Sequence, residues 1–185
     1  MAFNSLLNAE TTALVVIDLQ EKLVPAIDGA DAVLANTHKL LELAKILSLP
    51  TFVTTQYSKG LGPTVPEISA ATPAKTYDKV CFSCFGDEPF LEAVRERMPE
   101  GSSLLLAGVE THICVLQTAL GGLAAGYDVH VAADAVGARA TYSHELGLER
   151  MRSAGVVISS AEMAIYELLG NARRTEFKQM LPFLK

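Results

Sequence analysis

Apolar positions fall into two kinds of stretch. Thr12-Ala13-Leu14-Val15-Val16-Ile17-Asp18 is a continuous apolar run that ends in an acid. A run of that length without polar alternation predicts a parallel strand buried on both faces. Residues 51–55, 103–107, 128–132 and 156–159 repeat the short apolar, β-branched pattern and predict four more strands. Between them, apolar residues recur at helical spacing. Val33, Leu34, Leu40, Leu41, Ala44 and Leu47 lie within residues 31–47, and Phe90, Leu91, Val94 and Met98 within residues 88–98. Further helices are predicted over residues 111–125, 143–154, 161–169 and 172–184. Thr111 is placed to cap the first of these with its hydroxyl, and Gly126 to end it. Strands alternating with helices throughout predict a parallel sheet with helices on both faces and right-handed crossovers. No repeat or shift of composition marks a boundary, so residues 1–185 are read as a single domain.

The pattern lapses over residues 56–77, where Gly60, Gly62, Pro63, Pro66 and Pro73 break any long helix. A loop of that length in a compact domain is usually functional or contributes to an interface. Residues 79–85 read as a short extended piece after it.

Composition narrows the class. Half of the 185 residues are hydrophobic and 19% are charged, a globular profile. The formal net charge of -6 argues against nucleic acid or an anionic membrane as a partner. Apolar runs are strand-sized, too short to span a bilayer. Met1-Ala2-Phe3-Asn4-Ser5 has no basic region leading into an apolar one, so no secretory signal is expected. Three cysteines are an odd number, which fits a cytoplasmic protein better than a disulfide framework. Cys81 and Cys84 form a C-x-x-C with no second ligand pair at zinc spacing, and read as two partly buried small residues.

The candidate chemistry sits at strand ends. Asp18 closes the first strand, and Cys114 lies in the first turn of the helix after Leu104-Leu105-Leu106-Ala107-Gly108-Val109. Both therefore fall at the carboxyl edge of the sheet, where open α/β sheets bind ligands. A thiol in a first turn faces unpaired N–H groups and the positive end of the helix dipole, which favour thiolate. Lys79, just after the long loop, is within range of the same crevice. A carboxylate can take a proton from a thiol nucleophile, and a lysine between them keeps the carboxylate ionised. Taken singly, each has a plainer account: a small buried cysteine, a turn-capping aspartate, a solvated lysine.

Val16-Ile17-Asp18-Leu19-Gln20, Asp78-Lys79-Val80-Cys81-Phe82-Ser83 and Gly108-Val109-Glu110-Thr111-His112-Ile113-Cys114-Val115 resemble, in order, the three catalytic blocks of the isochorismatase-like (cysteine) hydrolase superfamily. The branch resembled is the small stand-alone one containing isochorismatase domain-containing proteins. The likeness runs over residues 12–183 and continues through Gly126-Tyr127-Asp128-Val129-His130 and Met151-Arg152-Ser153-Ala154-Gly155. It implies a three-layer α/β/α sandwich around a mostly parallel, Rossmann-like sheet. It also implies Asp18 as general base, Lys79 as electrostatic partner and Cys114 as nucleophile on an amide carbonyl. A cis peptide between Val109 and Glu110 is implied too, with the Glu110 and Cys114 N–H groups as an oxyanion hole. Homo-oligomers are common in the superfamily.

The resemblance also has a limit. Nicotinamidases of the superfamily hold a metal through Asp-x-His, whereas this chain has Thr54-Thr55-Gln56-Tyr57 there and no Asp-x-His anywhere. No metal and no cofactor are therefore expected. The cysteine argues against vinyl-ether hydrolysis of the isochorismatase type. Leu19, Gln20, Tyr57, Phe82, His112 and Arg139 are candidates to line the substrate pocket, Arg139 as a carboxylate binder or a surface ion pair. His130, in a strand, is read as a satisfied structural residue. The leading expectation is an amide hydrolase acting on a small molecule. A thiol redox protein using Cys114 or the Cys81/Cys84 pair, and a catalytically silent oligomeric scaffold, stand as alternatives.

Overall fold

The computed structural model describes residues 6–72 and 74–184. Met1–Ser5, on which the absence of a leader was read, and the breaker Pro73 lie outside the described residues. Strands β1 (Thr12–Ile17), β2 (Thr51–Gln56), β3 (Thr76–Lys79), β4 (Ser103–Val109), β5 (Asp128–Gly137) and β6 (Val157–Ser159) form one sheet in the order β3-β2-β1-β4-β5-β6. Every neighbouring pair is parallel. The helices are α1 (Ala30–Leu47), α2 (Ser58–Leu61), α3 (Pro66–Ser69), α4 (Glu88–Arg97), α5 (Leu116–Ala124), α6 (Thr141–Ser153), α7 (Ala161–Leu169) and α8 (Thr175–Met180).

The period-2 geometry of β1 divides the core. Leu14 and Val16 pack with Leu40, Leu41 and Leu43 of α1 and Ile165 and Leu168 of α7. Ala13, Val15 and Ile17 pack on the other side with Phe90 and Val94 of α4, Leu116 and Ala119 of α5 and Met151 of α6. An apolar strand without alternation is what a sheet covered on both faces requires, and the result is the expected three-layer sandwich.

One strand was not expected. β3 pairs with the outer edge of β2, Val53 opposite Thr76 through Gln56 opposite Lys79. Its sequence, Thr-Tyr-Asp-Lys, has one apolar side chain among three polar ones, with Thr76 and Asp78 exposed, so no apolar pattern announces it. The extended piece placed at residues 79–85 is therefore displaced: the strand ends at Lys79, and the C-x-x-C segment bends into a single 3-10 turn, Cys84–Gly86. Two four-residue helices, α2 and α3, interrupt the long loop. β5 continues to Gly137, five residues beyond its expected end at Ala132. The closing helix is cut to α8 and a 3-10 turn, Leu181–Phe183, because Pro182 lacks the N–H an α-helix would need there.

The order of strands places the functional edge. β1 is flanked by β2 on one side and β4 on the other, so chain direction away from β1 reverses between β1 and β4. Outside the carboxyl ends of those two strands lies the crevice that the topology leaves open for a ligand.

Candidate active site

Asp18 and the Val109–Cys114 turn meet at that crevice. Asp18 follows the last residue of β1 and adopts a left-handed backbone, φ 53°. An extended Asp18 would continue the alternation and face α1; the left-handed turn, which aspartate tolerates better than most residues, swings it the other way. Its carboxylate meets Thr54, whose neighbour Phe52 packs on the α4 and α5 side. Beside it, Gly108 has φ 114° and runs so close to β1 that a Cβ would fall on the Ile17 carbonyl oxygen.

The carboxylate is held from two sides. Thr54 Oγ1 donates to Asp18 Oδ1 at 2.8 Å, and Lys79 Nζ donates to Asp18 Oδ2 at 2.7 Å. Lys79 also donates to Gln56 Oε1 at 2.8 Å. Gln56 is fixed in turn: its N–H donates to Gln20 Oε1 at 2.7 Å, and its side-chain amide donates to the Val80 carbonyl at 2.8 Å. Gln20 completes the brace by donating to the Gln56 and Gly62 carbonyls. Asp18 and Lys79 have no exposed side-chain surface. Burial opposes the charge on Lys79 most strongly, but the Asp18 carboxylate together with the neighbouring Cys84 and Cys114 outweighs it and holds the ammonium above its ordinary value.

Cys114, 6% exposed, joins this pair. The turn that carries it is π-helical over Thr111–Val115: the Val115 N–H donates to the Glu110 carbonyl five residues back, at 3.2 Å. Such turns recur at functional sites. The Val109–Glu110 peptide bond is cis. The thiol departs from the thiolate expected for a first turn. Burial first, and the Asp18 carboxylate second, push its pKa well above the ordinary range. A helix terminus contributes about 0.3–1 kcal/mol, less than one pKa unit, and cannot offset desolvation plus an adjacent carboxylate. Nor does Thr111 cap the turn; its hydroxyl is engaged with His144 Nδ1 at 2.9 Å.

Six residues proposed for the pocket separate. Leu19 is 1% exposed and packs in the α1-side core, away from the crevice. Gln20 is buried as the brace on Gln56. Tyr57 and Phe82 are half exposed. His112 follows Glu110 and Thr111, and its Nδ1 is buried without a partner among the described residues. Arg139 is a surface ion pair: its Nε lies 3.1 Å from both Glu110 carboxylate oxygens, and its backbone N–H donates to Glu110 Oε2 at 2.9 Å. A cavity of about 550 Å³ opens beside Thr55, Ser58 and Asp78, but Cys114 does not line it.

Thr54 and Gln56 were not singled out by sequence, and Cys84 was read only as part of the C-x-x-C. Cys84 is fully buried, its Sγ 3.8 Å from Thr54 Oγ1, whereas Cys81 is half-buried and both thiols are free. The register Ile17 opposite Thr54 was the one available signal, since it puts Thr54 next to the residue before Asp18. His130 is corrected as well. It is buried, but both ring nitrogens lack partners among the described residues, because the parallel neighbours Leu105 and Val157 offer it only apolar side chains. Among the described residues no three His, Cys, Asp or Glu side chains converge to hold a metal.

A six-stranded parallel sheet in this order, covered by helices on both faces and with its crevice at the β1/β4 switch point, is a doubly wound, Rossmann-like three-layer sandwich. The isochorismatase domain profile matches residues 12–163, and the chain belongs to the isochorismatase family. It is 40% identical over 179 residues to the secreted isochorismatase effector Isc1 of Phytophthora sojae, covering 95% of this chain and 85% of that protein. It is 37% identical over 174 residues to isochorismatase domain-containing protein 2 of Xenopus laevis, covering 94% and 83%. Among solved structures, MAR1 ribonuclease from Caenorhabditis elegans superposes with a TM-score of 0.90 at 33% identity, covering 97% of this chain and 92% of that one. YcaC from Pseudomonas aeruginosa, solved with hexane-2,5-diol and covalent acrylamide, gives 0.90 at 27% identity with the same coverage. The Escherichia coli YcaC product, described as an octameric hydrolase of unknown specificity, gives 0.87 at 29% identity, covering 96% and 91%.

Proposed function

We propose that this protein is a cysteine-dependent hydrolase of a C–N (amide) bond in a small molecule, working without a cofactor. The observation that carries the reading is the Asp18 carboxylate, held by Lys79 at 2.7 Å and raising the pKa of the Cys114 thiol beside it. Burial keeps that thiol protonated at rest, so its proton must leave as the bond to carbon forms. Asp18 accepts the proton while Cys114 Sγ attacks the amide carbonyl. The developing oxyanion is taken by the Glu110 and Cys114 N–H groups; first-turn donors of this kind have no intrahelical acceptor. Asp18 then returns the proton to the leaving nitrogen as the C–N bond breaks. Water, deprotonated by Asp18, attacks the thioester; the C–S bond breaks, the acid leaves, and Asp18 returns the proton to Cys114 Sγ. Lys79, 2.7 Å from Asp18 Oδ2, places a positive charge against the carboxylate between these transfers.

The covalent acrylamide in the Pseudomonas relative supports a reactive nucleophile in that protein, since acrylamide is captured at its alkene carbon, and the octameric E. coli relative supports a homo-oligomer. The ribonuclease name of the worm relative is not carried over, since a net charge of -6 disfavours a polyanion. Intact-mass measurement across a panel of small primary amides tests the reading. An acyl adduct on Cys114 that is absent from Cys114→Ala is expected. No adduct and no ammonia release from any member of the panel would leave the oligomeric scaffold as the better account.

A further inference from the structure

Resting on the base role proposed for Asp18, a second buried cysteine has a part in the site. Asp18 is bonded by Thr54 Oγ1 at 2.8 Å. An ionised carboxylate can only accept, so the Thr54 proton is committed to Asp18 and the Thr54 oxygen is left to accept. The atom beside that oxygen is Cys84 Sγ, at 3.8 Å. Cys84 has no exposed surface, and burial pushes its thiol up to about 12 despite the nearby Lys79 charge, so it carries a proton to donate. Its backbone is anchored as well: the Cys84 N–H donates to Thr118 Oγ1 at 3.0 Å, on α5, the helix that continues from the Cys114 turn. Thr54 and Thr118 are both fully buried.

We propose that Cys84, acting through Thr54, is a positioning residue that fixes Asp18 Oδ1 for its exchange of a proton with Cys114. The bonds run in one direction, from the Cys84 S–H to Thr54 Oγ1 and from the Thr54 O–H to Asp18 Oδ1. Lys79 holds the second oxygen from the opposite side. The chain thereby orients Asp18 Oδ1 and places a donor against its negative charge. The second cysteine of the C-x-x-C is thereby given a role distinct from redox chemistry or metal binding.

The test is the pH dependence of Cys114 alkylation by iodoacetamide in the full chain, followed by peptide mass mapping so that Cys81 and Cys84 are scored separately. Because the buried thiol keeps its proton at rest, alkylation needs Asp18 to take that proton as the S–C bond forms, so the wild-type rate should show an acidic limb set by the base, below the range of an ordinary thiol near 8.5. Thr54→Val should move its midpoint up by about one unit, the scale of one hydrogen bond to a charged acceptor. Cys84→Ala should move it the same way by a smaller amount, and Cys84→Ser, which still donates, should restore it. Cys84→Val fills the volume without donating and replaces Cys84→Ala if that variant does not fold. A midpoint unmoved by either non-donating variant while Thr54→Val moves it overturns the inference alone. An ordinary-thiol profile in the wild type overturns the base role of Asp18, and the inference falls with it.

Discussion

Lys79 Nζ lies 2.7 Å from Asp18 Oδ2, and neither side chain has any surface exposed to solvent. The partners are 61 residues apart and close strands that are not neighbours, with β2 between them. Desolvating two charges costs several kcal/mol each, recovered only while both are present. Lys79→Ala should therefore destabilise the fold by about 3–5 kcal/mol, because it strands a buried carboxylate. The double variant Asp18→Asn/Lys79→Met should be more stable than Lys79→Ala. Urea denaturation of the three proteins checks this, and a double variant weaker than the single would contradict it.

Gly108 separates two costs that glycine substitutions usually mix. At φ 114° a side chain is strained, and here it would also strike the Ile17 carbonyl in the centre of the sheet. Gly29 has φ 67° with nothing within 4 Å of its would-be Cβ. Gly29→Ala should cost about 1–2 kcal/mol from backbone conformation alone. Gly108→Ala should prevent accumulation of folded protein, because the backbone between β1 and β4 cannot move aside. Thermal melts and soluble yield distinguish the two.

The Glu110 carboxylate and Arg139 are unequal partners. Arg139 is 63% exposed at its side chain and Glu110 only 8%. Arg139→Ala should cost no more than about 1 kcal/mol, since solvent screens the guanidinium and the Arg139 backbone N–H still reaches the carboxylate. Glu110→Ala removes the acceptor from both and should cost more, about 1–3 kcal/mol. Equal losses in chemical denaturation would refute the ordering.

Acid sensitivity should come from the core before it comes from the surface. Burial lowers the pKa of His130, with Glu167 and Asp128 opposing, and also that of His144, with Glu145 opposing. The unfolded chain then binds more protons than the folded one below about pH 6.5, so stability is complete above that value and falls as pH drops toward the folded pKa values. The slope is at most about 1.4 kcal/mol per pH unit for each histidine. Asp78, held below the usual carboxylate range by its bonds to Ser58 and Thr55 although burial opposes them, loses its contribution only below about pH 4. His130→Leu should reduce the fall of the melting temperature between pH 7 and 5, leaving the part due to His144, and keep the acid transition below pH 4 in place. An unchanged slope in that variant would place the sensitivity elsewhere.

Much of the site was legible because strand ends are legible. Asp18 ends the apolar run of β1, and Cys114 follows the apolar run of β4, so the alternation of strands and helices alone brought both to one edge. Lys79 was placed correctly for the wrong local reason. It closes a polar edge strand that hydrophobic pattern cannot detect, and only its pairing with Gln56 of β2 defines it. Thr54 and Gln56 could not be singled out, since each matters through a side-chain bond to a residue at least 23 positions away, and the sequence offered Cys84 only as half of a C-x-x-C.

The sequence by itself determined the alternation of elements, the two-faced core and the family, because these depend on periodicity and on local blocks. Tertiary structure alone decided the protonation of Cys114. A first-turn thiol read locally is a thiolate; the same thiol packed against the core with a carboxylate beside it keeps its proton. Desolvation and a near charge act through space and outweigh the helix terminus, and neither is written in the order of the residues.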